Sequence, residues 1–518
     1  MNVAPLGLAA ARLPAGVPAQ RAQVSSGQFL TACRLAWEQR AQLVALWASD
    51  ERDRRRGFCV RVALEDRDGL MVLEHWLPGE DSRYPDLTPI FPAANRMQRS
   101  TYDLMGIGAE ADDQRPWLWM ASWPIDRFPL RRDFEASPLW EPGQEEYDFV
   151  RVEGDGVHEI PVGPVHAGII EPGHFRFQIV GEKVLRLEER LGYTHKGVEK
   201  RFEAMTLGEG AKLAGRISGD STVAYAWAYA QAVESIAEIV VPPRAAWLRA
   251  LCLERERLAN HLGDLGALGN DGGFAFGLAQ FSRLREDVLR ANHAAFGHRL
   301  LMDAVVPGGV ARDLEIVQAL AMREHANRLR AEIAELRGIY DEHAGLQDRF
   351  RNCGAVGAEL AGRLGMQGLA ARASGIGRDL RCDFPCAPYD ALGVNIATAA
   401  NGDVAARVAV RFDEALESLR LIEAITAQLL DPALARDVAL PLPDAPEQRL
   451  GIGYVEGWRG PVLVALETGP GATIRRCHPH DPSWSNWPAI EHAVIGNIVP
   501  DFPLINKSFN LSYSGHDL

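Results

Sequence analysis

Glu254, Arg257, His261 and Asp264 follow one another at steps of three, four and three residues, so on a helix they share one face. If that face meets solvent, it is the ordinary polar side of an amphipathic helix. If it points inward, it holds the groups a proton relay uses, acids and an imidazole able to exchange protons near neutral pH. His195 and Glu199, and again Arg216 and Asp220, stand four residues apart. The first pair is either structural or part of the same polar system. The second either closes on itself as an ion pair or holds an anion or polar substrate, and self-pairing is the simpler expectation.

The seven cysteines (Cys33, Cys59, Cys252, Cys353, Cys382, Cys386, Cys477) are odd in number and scattered, which suits a reducing compartment better than a disulfide framework. Only Cys382 and Cys386 stand close, around Asp383-Phe384-Pro385. Two thiols do not define a metal site, and Cys477, His478 and His480 would have to complete one. Ordinary thiols beside a turn are the expectation. The stretches GNDGGFAFG and GPGA lack the strand-turn-helix context of phosphate and dinucleotide loops and read as turns, not as sites for a dinucleotide such as NADH.

The elements that must position these residues are legible in part. Leu30 to Trp47 reads as a helical start. Phe58, Val60, Val62 and Leu64 alternate along a strand, with Leu70 to Trp76 returning antiparallel across the Glu65–Gly69 turn. Phe175, Phe177 and Ile179 alternate in a second hairpin that returns through Val184 to Leu187. Beyond Gly210 the apolar spacing turns helical, in Thr222–Ile239, Ala245–Leu262, Ala311–His343 and Val404–Leu429, enough for a bundle.

With 518 residues, 47% hydrophobic and 24% charged, the chain has the composition of a folded protein of several domains. Its net charge of −14 argues against nucleic acid as a partner. No apolar stretch approaches the ~18 residues of a membrane span, and the Ala- and Pro-rich start reads as a loose tail, not a signal peptide.

The segment GPVHAGIIEPGHFRFQIVGEKVLRLEERLGYTHKGVEK, Gly163 to Lys200, resembles the large catalytic subunit shared by respiratory complex I and the energy-converting nickel-iron hydrogenases. ERERLANHLGDLGALGNDGGFAF and ARASGIGRDLR are similar to its central helix and its Arg-Ala-Ser-Gly segment, while TYDLMGI and PLRRDF resemble the smaller complex I subunit. Both in one chain resemble the fused large subunit of formate hydrogenlyase-type complexes. The resemblance implies an α+β protein. A tail over residues 1–27 precedes a small α/β domain over 28–136, and a linker over 137–162 leads to a domain over 163–518 with an N-terminal sheet and a central long-helix bundle of the hydrogenase large-subunit type. It also implies an iron-sulfur small subunit and antiporter-like membrane subunits as partners, and a peripheral place on the cytoplasmic side of the inner membrane.

In the hydrogenase relatives two Cys-x-x-Cys pairs hold nickel and iron. The positions that match them here are Ser218 and Ser221 in Arg216-Ile-Ser-Gly-Asp-Ser221, and Ser512 and Gly515 near the C-terminus. A serine hydroxyl is a hard, weakly acidic donor where these metals need soft thiolates, so a nickel-iron centre is expected to be absent. In the complex I branch a histidine and a tyrosine meet the quinone headgroup; the matching positions here are Ile170 and Gly219, whose side chains donate no hydrogen bond. His166 and His174 stand near the first. The resemblance gives weight to a cavity lined by His166, Arg216, Asp220, Glu254, Arg257, His261 and Asp264. The activity expected is electron transfer from the iron-sulfur partner to a small acceptor, quinone being one candidate, coupled to proton movement. The alternative is a non-catalytic scaffold, and the two differ in whether the vestigial pocket is open or filled.

Overall fold

The computed structural model describes residues 6–79, 83–120, 123–124, 126–135, 143, 147–166, 168, 170–443 and 445–518. The N-terminal part is built from β1 (Ala11–Arg12), β2 (Ala19–Val24), α1 (Ser26–Glu38), β3 (Gln42–Asp50), β4 (Phe58–Asp66), β5 (Gly69–Leu77), the short pair β6 (Arg83–Tyr84) and β7 (Gly108–Ala109), and between these two α2 (Ala94–Met105). Its sheet runs β1-β2-β5-β4-β3. The β4–β5 hairpin pairs in register from Phe58↔Leu77 to Asp66↔Gly69, as the alternation predicts. The expected helix over Leu30–Trp47 is corrected. A capping box of Ser25 and Gln28 starts it early, and it stops at Glu38, because Arg40 takes a left-handed conformation (φ 61°) and turns the chain into β3. Its strand Gln42–Asp50 is an apolar run buried on both faces, which periodicity cannot separate from a buried helix.

The supposed tail is corrected too. Residues 1–5 lie outside the described residues, but β2 pairs in parallel with β5, and Leu13 and Val17 are buried with Val44, Trp47, Ile452, Tyr454 and Leu463 in a core shared by both halves of the chain. Much of the expected linker, 137–142 and 144–146, also lies outside the described residues. Its end is not a connection but β8 (Val157–Val162), the edge of a sheet ordered β10-β9-β8 with β9 (His174–Val180) and β10 (Lys183–Arg190).

The bundle follows: α3 (Val198–Phe202), α4 (Leu207–Ala214), α5 (Thr222–Ala237), α6 (Pro243–Asp271), α7 (Ala275–Phe296), the small ribbon β11 (Val305–Val306) and β12 (Gly309–Val310), α8 (Ile316–Glu342), α9 (Ala344–Phe350), α10 (Ala358–Leu364), α11 (Gly368–Ala373), α12 (Leu380–Asp383) and α13 (Val404–Leu429). A second sheet, β13 (Leu450–Glu456), β14 (Pro461–Thr468) and β15 (Ile474–His480), leads to α14 (Ser483–Ala493), α15 (Phe502–Phe509) and α16 (Tyr513–Asp517). The Ala-rich α5 is apolar and buried on nearly all sides. It lies against β13 so closely that a Cβ on Gly453 would meet the Ala228 carbonyl oxygen at 1.6 Å. The two Gly-rich stretches are turns, Gly272-Gly273 between α6 and α7 and Pro470–Ala472 between β14 and β15. Among the described residues no helix is long and apolar enough to cross a membrane.

Candidate functional site

Ser218, Ser221, Ser512 and Gly515, the four positions that the resemblance sets against metal-binding cysteines, converge, although they lie almost 300 residues apart in sequence. Ser218 and Ser221 flank the turn that opens α5, and Ser512 caps the N-terminus of α16 by accepting the Gly515 N–H at 2.8 Å. Ser218 Oγ and Ser512 Oγ stand 3.0 Å apart. What fills the space between these segments is Arg459, from the β13–β14 turn. Its guanidinium donates to both Asp220 carboxylate oxygens (2.8 and 2.6 Å), to Ser221 Oγ (3.2 Å) and to the Asn510 carbonyl (2.5 Å), and lies 4.0 Å over the Trp458 ring. Ser218 donates to Asp220 at 2.9 Å. Partial burial would raise the Asp220 carboxyl, but Arg459 overrides it and holds the group at about 2. At the fourth position there is no room for a side chain: a Cβ on Gly515 would lie 2.6 Å from Asp481 Oδ2, 2.8 Å from Ser512 Oγ and 2.9 Å from the Tyr225 hydroxyl.

This donor set, hydroxyls around a guanidinium, does not fit a nickel-iron centre. Its fixed positive charge opposes a metal cation and its oxygens are hard. The expected Arg216–Asp220 pair does not form. Arg216 reaches Asp303 instead (2.7 Å), since Asp220 is turned inward to Arg459. His166 is not drawn into the pocket; its Nε2–H donates to the Gly173 carbonyl at 2.8 Å, and His174 ties the same loop through the Gly163 carbonyl at 3.1 Å. Ile170 is exposed on that loop, and Gly219 is exposed beside a narrow cleft lined by Asp220, Glu256 and Asn260.

The face of α6 that carries Glu254, Arg257, His261 and Asp264 points inward, and all four side chains are buried against α13 and the segments that cross it. Glu254 accepts from Arg381 (3.1 Å), the Tyr389 hydroxyl (2.6 Å) and Ser418 (2.7 Å). Burial alone would raise it, and Arg381 with Arg257 keeps it below the ordinary carboxylate range. Arg257 donates to the Glu456 and Gly457 carbonyls at 2.7 and 3.1 Å. His261 Nε2–H donates to Glu414 at 3.0 Å, which leaves Nδ1 as an unpartnered acceptor; burial lowers the imidazole and keeps it neutral. Asp264 takes Arg411 (2.9 Å), Lys507 (3.1 Å) and Asn510 (2.7 Å). Through Asn510, whose carbonyl holds Arg459, this column abuts the serine-lined pocket.

Several partners had no place among the sequence candidates: Arg372, Asp379, Arg381, Glu414, Glu456 and Arg459. Arg372, fully buried, donates to Glu414 and Glu456 at 2.8 Å each and lies 3.6 Å from Asp379. Three of the six sit in the ARASGIGRDLR segment, where three arginines and an acid amid small residues were the available signal.

Glu256 on the same helix is buried without a hydrogen-bonded cation; it accepts the Val223 and Ala224 N–H groups at 2.6 and 3.2 Å, where α5 begins. Burial raises its carboxyl to about 8, against those two N–H groups. A carboxyl raised in the fold contributes stability that is complete below its unfolded pKa of about 4.3 and is lost as pH rises through the folded value. Urea midpoints should therefore fall between about pH 5 and 8, and Glu256→Gln should flatten that slope by the equivalent of one proton. An unchanged slope would refute the assignment.

His195 and Glu199 are drawn to different partners. His195 Nδ1–H donates to the Asp517 carbonyl at 2.8 Å, while Glu199 bridges Arg476 (2.8 Å) and His478 (2.7 Å). Cys382 turns its thiol to the Val394 carbonyl, and His478 stacks on Trp47, so the Cys382, Cys386, Cys477, His478 and His480 set does not assemble. Among the described residues no group of three or more His, Cys, Asp or Glu is placed to hold a metal ion, and all seven cysteines are free thiols.

A small α/β domain is clasped to a sheet-flanked helix bundle, with a polar pocket between the bundle and the C-terminus. Residues 22–138 match the family model of the respiratory-chain NADH dehydrogenase 30 Kd subunit, and residues 271–450 that of the 49 Kd subunit. The chain is 31% identical to formate hydrogenlyase subunit 5 of Escherichia coli (strain K12), over 93% of this chain and 86% of that protein. It is 32% identical to hydrogenase-4 component G of the same strain, over 92% and 83%. A solved chain of the membrane-bound sulfane sulfur reductase, an archaeal respiratory membrane complex, aligns with a TM-score of 0.66 at 25% identity, over 70% of this chain and 99% of that one. The chain belongs to the family in which the complex I 30 kDa and 49 kDa domains are fused, the family of these hydrogenase and NADH-quinone oxidoreductase subunits. It is an oxidoreductase subunit of α+β build.

Proposed function

We propose that this chain is the core large subunit of a membrane-associated, complex I-like or hydrogenase-like oxidoreductase complex that works without a nickel-iron centre. It joins an iron-sulfur small subunit to antiporter-like membrane subunits at the cytoplasmic face of the inner membrane and carries protons through the buried column on α6. The observation that carries the reading is Arg459 locked on Asp220 among Ser218, Ser221 and Ser512. A pocket filled by its own side chains favours the scaffold and proton-carrying role over acceptor reduction at this spot. The inward column supports the proton role, since buried acids with an imidazole exchange protons where a solvated face has no such need.

The test is elemental analysis of the purified complex together with deuterium exchange under hydrogen gas. No nickel above background and no exchange are expected; one nickel per large subunit would overturn the proposal. Electron transfer in membranes with quinone and viologen acceptors then separates the two roles. A scaffold keeps its acceptor rates in assembled Asp220→Ala and His261→Ala variants, whereas loss of quinone reduction in Asp220→Ala alone would place acceptor chemistry at the pocket.

A further inference from the structure

An open cavity of about 760 Å³ separates the β4–β5 turn from the segment around α12, and its walls include Arg40, Asp66, Arg378 and Asp383. A narrower cleft shares Arg378 and Asp383 with it and runs inward past Glu65, Asp379 and Glu456. Asp383 is exposed at this junction, and its Oδ2 accepts the Asp379 N–H at 3.0 Å. Behind Asp379 lies Arg372, which holds Glu456 and Glu414 in the same fork, and Glu414 holds His261. In this core His261 Nδ1, Arg257 Nε, Arg372 Nη2 and Arg411 Nη1 are buried without a hydrogen-bond partner in the protein. Such groups are satisfied by ordered internal water, which is also the medium through which protons move.

We propose that the cleft between the two domains is the proton inlet of this subunit, with protons passing from the open cavity by Asp383 to Glu456 and from there to the Glu414–His261 pair. It rests on the proton-carrying role above and names its entrance. Each step moves one proton from a carboxyl O–H to a carboxylate or to His261 Nδ1 by way of internal water, and needs no oxidant or reductant. Arg372 does not deprotonate; it fixes the two carboxylates and is bypassed. The groups facing Glu456 are Asp379, Arg372 and Arg257; those facing Asp383 are Asp379, Arg378 and Arg372; those facing His261 are Glu414, Arg411 and Arg257. Burial and Asp379 raise Glu456 to about 6 against the two arginines, and burial also raises Asp383, so both exchange protons closer to neutrality than free carboxylates do.

Infrared carboxyl titration of the purified full-length chain tests this. A protonated carboxyl band with a midpoint of about 6 is expected, absent in Glu456→Gln and shifted but retained in Glu456→Asp. Asp383→Asn, a surface change that leaves the fold intact, should keep the midpoint and slow the response of the band to a pH jump by about tenfold or more. If Glu456→Gln does not fold, Glu456→Asp and Asp383→Asn decide. A band unaltered in every Glu456 variant, or an unslowed response in Asp383→Asn, would overturn the inlet. The readout requires no turnover: an assembled complex that translocates no protons while the titration behaves as expected would refute the proton-carrying role and with it the inlet, whereas a failed titration in a complex that translocates protons overturns the inlet alone.

Discussion

Replacing Arg372 with leucine should cost the chain about 3–5 kcal/mol or more, because one fully buried guanidinium faces Glu414, Glu456 and Asp379 together. That is a large share of the stability of a typical domain, about 5–15 kcal/mol. The cost comes less from lost attraction than from charges left buried without a counter-charge. Asp379 keeps the fork of Arg381, at 2.7 and 3.0 Å, but Glu414 is left with His261 and a 3.5 Å approach of Arg257, and Glu456 with the Leu380 N–H at 3.2 Å. Arg372→Lys should fail nearly as badly, since a compact ammonium has no planar fork to meet carboxylates on separate sides. Adding Glu414→Gln and Glu456→Gln to Arg372→Leu should recover much of the loss by removing the uncompensated charge. Thermal melting followed by circular dichroism and by tryptophan fluorescence reads all three, and full stability of Arg372→Leu would show that the network is open to bulk solvent.

Placing cysteines at Ser218, Ser221, Ser512 and Gly515 should not create a metal site. Ser218→Cys, Ser221→Cys and Ser512→Cys are near-isosteric, but Gly515→Cys is not. Its Cβ would strike Asp481 Oδ2 and the Tyr225 hydroxyl, which are hydrogen-bonded to each other at 2.7 Å and buried, so neither has anywhere to retreat. Gly515→Cys alone should destabilise by about 1–3 kcal/mol through overpacking. In the quadruple variant Arg459 still sits on Asp220, and nickel after expression with a hydrogenase maturation system should stay at background. Stoichiometric nickel in that variant would mean that the pocket accommodates the metal despite Arg459. Adding Arg459→Ala separates the two obstacles: if nickel then binds, the guanidinium was the decisive one.

Local patterns exposed what is local. The alternation of Phe58, Val60, Val62 and Leu64 identified the β4–β5 hairpin, and the spacing of Val404 to Leu429 identified α13 to the residue. The run Gln42–Trp47 misled because a strand buried on both faces has no alternation to display. Spacing placed Glu254, Arg257, His261 and Asp264 on one face but gave no direction for it, since direction depends on cations delivered from elsewhere: Arg381 lies 127 positions from Glu254 and Arg411 147 from Asp264. Asp220 offered a nearby arginine at position 216, yet its true partner is 239 positions away. Only the fold brings a β-turn arginine to the mouth of α5.

The clasp between the two ends of the chain bears on how the protein is born. Gly16 N–H donates to the Ile452 carbonyl and Ile452 N–H to the Pro14 carbonyl, both at 2.9 Å. At ribosomal speeds of about 5–20 residues per second, the opening segment is exposed for about 20–90 s before its seat at Ile452 is even synthesised. Throughout that interval Leu13, Val17 and one side of β3 present apolar surface with nothing to cover it, which makes the nascent polypeptide a natural client for chaperones that bind during translation.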